Sequence, residues 1–157
     1  MYLTLKAIHV AALVAFLGNI SLAMVWKWHA DRSRNPAIMA HVLHGVVAGD
    51  RWITVPAAAI LFISGVAMAV LGGLPLLHTG WIWKASLAFA ASGVLYLYPI
   101  GPDQRRMERL ALAAHGDPAA LDWGAYAALS RRWLLFGLLA ITALLAAMAL
   151  MIYKPIA

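Results

Sequence analysis

The 157-residue sequence contains no cysteine and few charged side chains. Without cysteine, a disulfide framework, a thiolate metal site and a cysteine nucleophile are excluded. Charged residues make up 11% of the chain, whereas a soluble domain carries about 25%. This shortage, with a hydrophobic fraction of 64%, excludes a water-soluble globule, a disordered chain and a nucleic-acid-binding domain. The composition indicates an integral membrane protein with a single domain, residues 1–157.

Four apolar stretches are long enough to cross a bilayer. A helix needs about 20 residues to span a hydrocarbon core of about 30 Å, and the stretches cover residues 2–28, 52–71, 81–98 and 133–153. Tryptophan and tyrosine mark their ends, as is typical of residues at the headgroup level. The first stretch is longer than the apolar region of a signal peptide, about 7–15 residues. We therefore expect it to remain as a span.

Basic residues indicate how the spans are oriented. Nine of the 12 Lys and Arg residues lie in or beside the 28–52 and 99–132 connections. Because positively charged loops stay in the cytoplasm, both connections are predicted to be cytoplasmic and both termini to lie outside. The net charge of +6 is then a signal of topology rather than of a nucleic-acid partner.

Both connections carry helical patterns of their own. Asn35 can cap a helix over residues 36–50 with Pro36 in its first turn, and residues 103–116 are expected to form a second, polar-faced helix. The first of these helices either runs along the membrane surface or extends the second span inward. Pro56 predicts a kink near the start of that span. The predicted fold is an all-α, four-helix membrane bundle with two amphipathic cytoplasmic connections.

Polar residues inside the spans are functional candidates, because the bilayer makes them costly. Asn19 is expected to hydrogen-bond to a neighbouring helix. His9 lies about 10 Å along the first span from the outside, and Lys84 about 5 Å along the third, so the two share one layer of the bundle. Lys6 is one turn from His9 on the same helical face. No Asp or Glu lies within the four stretches to neutralise this layer.

Such a cationic layer favours an anionic or electron-rich partner, namely a metal, a lipid phosphate or the propionates of haem. Neutral imidazole is a common ligand of haem iron, so His9 is a candidate axial ligand. The alternatives are structural. His9 can bond to a backbone carbonyl at the interface, and Lys84 can extend its amine to the headgroups.

Two histidines outside the spans form a weaker candidate site. His41 and His44 are spaced i, i+3, which can place two imidazoles on one metal, and the alternative is a pair of ordinary interfacial histidines. Asp50 and the Arg131–Arg132 pair flank spans on the same side, so an ion pair between them is predicted. The remaining histidines are expected to be solvated: His29, His78 and His115.

Short motifs are spread over nearly the whole chain: Leu5-Lys6-Ala7-Ile8-His9, Gly18-Asn19, Trp26-Lys27, Ala30-Asp31-Arg32-Ser33, Asp50-Arg51-Trp52, Ser64-Gly65 and Lys154-Pro155. Together they resemble a bacterial four-helix integral-membrane family of unknown function, a DUF family. More distantly, Leu5 and His9 are similar to the Leu-x-x-x-His segment of the HemJ-type protoporphyrinogen oxidases and the CopD-type copper-resistance proteins. Trp81 and Lys84 are similar to the Trp-x-x-Lys opening of the third span in the HemJ type. The resemblance to a bacterial family implies the inner membrane, so the outside predicted above for both termini is the periplasm.

The HemJ resemblance implies haem b bound by His9, with Lys84 as a catalytic residue and Lys6 and Lys84 beside the cofactor. A haem-associated membrane redox protein, acting with a porphyrin or a redox partner, is the leading hypothesis. The CopD resemblance implies copper handling or small-solute transport, with His9 and Lys84 lining a polar path and His41 and His44 acting at the inner face. A third hypothesis is a non-catalytic accessory subunit of a membrane complex. The lipid bilayer and a second copy of the chain complete the expected partners.

Overall fold

The computed structural model describes residues 1–76 and 78–155, and these residues form helices without any strand. The α-helices are α1 (Tyr2–Ser33), α2 (Pro36–Gly49), α3 (Val55–Leu71), α4 (Gly80–Leu95), α5 (Gly101–Ala113) and α6 (Trp123–Tyr153). A π-helical turn over Asp50–Thr54 joins α2 to α3, and another over Tyr96–Ile100 joins α4 to α5. A 3-10 turn, Pro118–Ala120, precedes α6.

The π turns make α2–α3 and α4–α5 continuous, so the chain forms four long helices of 32, 36, 34 and 31 residues, each apolar enough to cross a membrane. At a rise of 1.5 Å per residue these helices are about 47–54 Å long, which exceeds the hydrocarbon thickness of about 30 Å. The end of the bundle that carries the 34–35 and 114–122 segments is called the basic end here, and the opposite end is called the termini end.

The predicted all-α, four-helix membrane bundle is confirmed. The helix expected over residues 36–50 is α2, and it extends the second span rather than lying apart from it. The helix expected over 103–116 is α5, which continues the third span in the same way. The last helix begins at Trp123 rather than at Trp133. Because the π turns carry the helical backbone onward, the two predicted connections are largely extensions of the spans.

The spans are arranged as two helix pairs. In the membrane half, α1 packs along α3 and α4 packs along α6, while at the basic end α2 packs along α5 and against α1. The rings of Phe16 in α1 and Phe89 in α4 bring the two pairs together, with 6.2 Å between their centroids. At the basic end the core is built around Met39, Leu43 and Met107, which are fully buried.

The outside of the spans is covered by exposed apolar side chains, among them Val14, Phe62, Ile63, Val70 and Leu135. A soluble protein rarely exposes a continuous apolar surface of this extent. In a bilayer the same side chains contact lipid tails, while each helix satisfies its own backbone hydrogen bonds. The surface therefore agrees with the composition, and the protein contacts the lipid bilayer along its spans.

Local signals at the start of α2 act as predicted. The Asn35 side-chain oxygen accepts hydrogen bonds from the amides of Ala37 at 2.9 Å and Ile38 at 3.4 Å. Pro36 occupies the first position of the helix, where its missing N–H costs nothing. Arg34 adopts a left-handed conformation, with φ of 52°, and ends α1. These features reverse the chain between α1 and α2 within two residues, 34–35.

Candidate functional site

A buried carboxyl group lies where the second span meets the basic end. Asp50 is 6% exposed and opens the first π turn. Its Oδ1 accepts a hydrogen bond from the Thr54 hydroxyl at 2.9 Å, and its Oδ2 accepts one from the Gln104 side-chain amide at 2.8 Å. The Asn19 amide donates to the Thr54 hydroxyl at 2.8 Å, which confirms the predicted contact of Asn19 with a neighbouring helix. Three of the four long helices thus meet at Asp50.

Both π turns border this polar cluster. Asp50 and Thr54 are the first and last residues of one turn, and Gln104 lies in the first turn of α5, just after the other. The turns are closed by i→i+5 hydrogen bonds, from the Val55 amide to the Asp50 carbonyl and from Gly101 to Tyr96. Isolated π turns within α-helices are frequently found at functional sites.

A cavity of about 160 Å³ lies between the helix pairs. Asp50, Thr54 and Gln104 line the part of it toward the basic end, which is called the cavity floor here. Its wall is mostly apolar and includes four aromatic side chains: Phe16, Phe89, Tyr96 and Trp133. None of the described residues that line it is Lys, Arg or His, so Asp50 carries the formal charge of this cavity. A largely apolar wall with a few convergent polar groups is typical of small-molecule sites.

Asp50 also differs in its partners from three other acids that lie toward the basic end. Asp31 pairs with Lys27, Asp103 with Arg132, and Glu108 lies 2.9 Å from His44. Within residues 1–76 and 78–155, Asp50 takes part in no ion pair. Ionisable residues in membrane helices are costly and mark ligand, ion or proton pathways. The Asp50 carboxyl group, which lies beside a cavity and outside these ion pairs, is therefore the strongest candidate for a functional group.

The predicted ion pair between Asp50 and the Arg131–Arg132 pair is wrong. The Arg132 guanidinium instead donates two hydrogen bonds to the Asp103 carboxylate, one from Nη2 to Oδ1 and one from Nε to Oδ2 at 2.7 Å. The Arg131 Nε donates to the backbone carbonyl of Ala127. The physical reason is position: α5 packs against α6 and brings Asp103 to Arg132, whereas the two oxygens of the Asp50 carboxyl group bond to Thr54 and Gln104.

A second polar cluster surrounds Lys27, which is 2% exposed. Its Nζ donates to Asp31 Oδ2 at 2.6 Å and to the Ser130 hydroxyl at 2.7 Å. The Tyr126 hydroxyl donates to the other carboxylate oxygen of Asp31 at 2.6 Å. This cluster joins α1 to the early part of α6, so the charge of Lys27 serves packing at the basic end.

Trp133 connects the two clusters. Its ring lies 5.3 Å from the Lys27 Nζ, within the range of a cation–π contact, and the same residue lines the cavity. In the described part of the chain, the Trp133 Nε1 is the buried side-chain polar atom that has no hydrogen-bond partner. A buried donor without a partner is costly in a native structure, and a ligand or water in the cavity is one way to satisfy it.

The residues predicted to hold haem lie elsewhere. His9 in α1 is half-buried, with its Nδ1 2.9 Å from the Ser64 hydroxyl of α3, and an added Cβ at Gly65 would lie 3.4 Å from the ring. Since the Ser64 hydroxyl donates to the Ile60 carbonyl at 2.5 Å, it accepts from His9. Lys6 and Lys84 are exposed. No hydrogen bond or ion pair joins these three predicted residues, and none of them lines the cavity.

His41 and His44 line a separate cleft of about 440 Å³ between α2 and α5, together with Glu108 and His115. His44 contacts Glu108, as noted above. Among the residues whose placement is described, no three His, Asp or Glu side chains are close enough to hold a metal ion. The metal role of His41 and His44 stays a prediction. His29, His78 and His115 are exposed, as predicted.

The residues of both polar clusters were signalled only faintly by the sequence. Asp50 lies just before the 52–71 stretch and Lys27 at the end of the 2–28 stretch, where a charge is typical of a membrane flank. The available signal is spacing, since Asp50 and Thr54, like Lys27 and Asp31, are separated by four residues and share a helical face. Gln104 carries no signal of its own, because it meets Asp50 from a position 54 residues away in the chain.

Comparison with known proteins gives one match. Residues 3–155 match a family described as "Predicted integral membrane protein (DUF2269)". No curated protein and no solved structure matches the chain. The match agrees with the predicted membrane family of unknown function, and the comparisons do not support the more distant resemblance to the HemJ and CopD types.

Proposed function

Since the chain belongs to the DUF2269 family of integral membrane proteins, we propose that it is a small-solute transport protein. The solute binds in the cavity between the α1–α3 and α4–α6 pairs, with Asp50 as its polar anchor. The observation that carries this proposal is the buried Asp50 carboxyl group, which lies beside a cavity and outside any ion pair of the described residues.

The size and position of the cavity support this role. A cavity of about 150 Å³ admits a molecule as large as benzene, and the space described here is about 160 Å³. It extends from the Phe16–Phe89 contact to Asp50. Asp50 precedes Leu71 by 21 positions, a helical distance of about 30 Å, so the cavity floor lies one membrane thickness from the termini end.

Uptake into vesicles tests the proposal. The full chain is reconstituted into liposomes, and the uptake of three labelled probes of similar size is measured: tetramethylammonium, tert-butanol and trimethylacetate. We expect at least one probe to enter faster than into protein-free vesicles. Ala140→Leu, which fills the cavity, should abolish the difference, whereas Ala146→Leu on the exposed face of α6 should retain it. No protein-dependent uptake of any probe, or equal uptake by both variants, would refute the proposal. Other membrane proteins that co-purify in stoichiometric amounts would then favour the accessory-subunit hypothesis.

Binding of haem b at His9, with Lys84 as the catalytic residue, remains a separate prediction. The contact of His9 with Ser64 and the exposure of Lys84 favour the solute hypothesis over it. The absorption spectrum of the protein purified in mild detergent tests this prediction. A Soret band after haem supplementation that is lost in His9→Ala would support haem binding, and the absence of a Soret band would refute it.

Metal handling at the basic end is the second candidate function. One observation favours it: His41 and His44 share a cleft with Glu108 and His115. Copper or zinc that binds at one equivalent per chain, and that is lost when His41 and His44 are both changed to alanine, would support it. Metal content that is unchanged in the double variant would refute it.

The proposed location is the bacterial inner membrane, with the basic end in the cytoplasm and both termini in the periplasm. It is supported by the nine basic residues at or near the basic end, because positive charge is retained on the cytoplasmic side.

A further inference from the structure

We propose that the cavity selects a small organic cation, with an ammonium group and an aliphatic body. This inference rests on the proposed function and specifies the class of solute. It is drawn from three features of the cavity: the sign of its charge, the free capacity of its carboxylate and the chemistry of its wall.

The ionisable group that lines the cavity is a carboxyl group, whose charged form is negative. Asp50 is the charged residue among the described lining residues, and no basic side chain lines the same space. The nearest buried cation, Lys27, touches the ring of Trp133 but is neutralised by Asp31 at 2.6 Å. An anionic solute would meet an unpaired carboxylate at the floor, so the cavity disfavours anions.

The Asp50 carboxylate has capacity left for a ligand. An ionised carboxylate offers about four lone-pair sites, and two of them are used by Thr54 and Gln104. Both partners are neutral donors, so the negative charge is positioned without being cancelled. A cation in the cavity would supply the missing counter-charge, which in a site of low dielectric is worth more than in water.

The chemistry of the wall favours an organic cation over a bare metal ion. Hard ions such as Ca²⁺ take about 6–8 oxygen ligands, whereas most of this cavity is lined by carbon, including Phe16, Phe89, Tyr96 and Trp133. Aromatic rings attract alkylated ammonium groups through their negative faces, and such groups bind in aromatic cages. A carboxylate beside four aromatic residues therefore matches an ammonium group whose substituents are apolar.

Calorimetric titration of the full chain in detergent tests the charge preference, with the same three probes. We expect tetramethylammonium to bind at least tenfold more tightly than the uncharged tert-butanol, and trimethylacetate to bind more weakly than either. Asp50→Asn keeps the size of the side chain and one acceptor oxygen, replaces the other oxygen with an amide donor and removes the charge, so it should reduce the preference for the cation at least fivefold. Glu108→Gln, in the separate cleft, should leave the preference unchanged.

The possible results separate this inference from the proposed function. Equal binding of tetramethylammonium and tert-butanol, with uptake intact, would overturn the inference alone, and so would a cation preference that survives in Asp50→Asn. No binding and no uptake of any probe would overturn both. If Asp50→Asn does not fold, the native preference and its reduction in Phe89→Leu, which removes one ring from the wall, still decide the question.

Discussion

Removal of the Asp31 carboxylate should destabilise the protein more than removal of the Lys27 ammonium. Lys27 has a side chain that is 3% exposed, whereas that of Asp31 is 28% exposed. If Asp31 is changed to alanine, the Lys27 Nζ keeps the Ser130 hydroxyl and the faces of two aromatic rings, but it loses its counter-charge. If Lys27 is changed to methionine, Asp31 still accepts hydrogen bonds from Tyr126 and Ser130 and reaches solvent.

The magnitudes follow from this asymmetry. Breaking a buried ion pair by removing one partner costs about 3–5 kcal/mol when the other charge is left uncompensated, and we expect this cost for Asp31→Ala. Lys27→Met leaves no buried charge alone and fills the site with an unbranched apolar side chain. We therefore expect a smaller cost, about 1.5–3 kcal/mol, from the loss of its hydrogen bonds to Asp31 and Ser130. The double variant should be less destabilised than Asp31→Ala alone, because no unpaired ammonium remains.

Denaturant unfolding of the full chain in detergent, followed by tryptophan fluorescence, measures these free energies. Lys6→Met is the matched control, since it removes an exposed lysine from the same helix, and it should change the free energy of unfolding by less than about 0.5 kcal/mol. Equal costs for Lys27→Met and Asp31→Ala, or additive costs in the double variant, would refute the argument that burial of the unpaired ammonium dominates.

Three further predictions concern the cap, the core and the orientation. Asn35→Ala should lower the free energy of unfolding by about 1 kcal/mol, because it removes the cap of α2; no loss in the same denaturation assay would contradict this. Met39→Ala should lower the free energy of unfolding by about 2–5 kcal/mol, since Met39 is 0% exposed in the basic-end core. A loss below about 1 kcal/mol would contradict this and would mean that the core closes around the cavity left by the side chain. Because the chain contains no cysteine, Ala119→Cys and His78→Cys each introduce a single thiol. In intact cells a membrane-impermeant maleimide should label His78→Cys but not Ala119→Cys, and the reverse pattern would refute the proposed orientation.

The spans could be predicted because the bilayer imposes one strong requirement, about 20 apolar residues in a row. The start of α2 could be predicted as well, since Asn35 and Pro36 act locally. The ends of the long helices could not be predicted in the same way. Residues beyond a span are polar whether they form a loop or a helical extension, and only the packing of α2 against α5 shows that the helices continue.

The polar contacts were harder to predict because they join distant parts of the chain. Lys27 bonds to Ser130 across 103 residues, and Asp50 bonds to Gln104 across 54. A pattern in one helix identifies its apolar face, but it does not say which polar group of another helix arrives opposite. His9 shows the converse. Its position inside a span predicts function by default, yet its observed partner is the Ser64 hydroxyl on the adjacent helix.

The two π turns explain why helical periodicity alone does not reveal the cavity floor. Each is followed by a proline in the second position beyond it, Pro56 in one case and Pro102 in the other. Proline cannot donate to the carbonyl four residues earlier, and its ring crowds that group. An i→i+5 turn relieves the crowding by fitting one more residue into the helix. The extra residue shifts the helical register by about 100°, so a 3.6-residue repeat counted from α3 or α4 across the turn misplaces Asp50 and Gln104. Pro56 and Pro102, which by themselves would predict a break in each helix, therefore help to place the polar groups of the cavity.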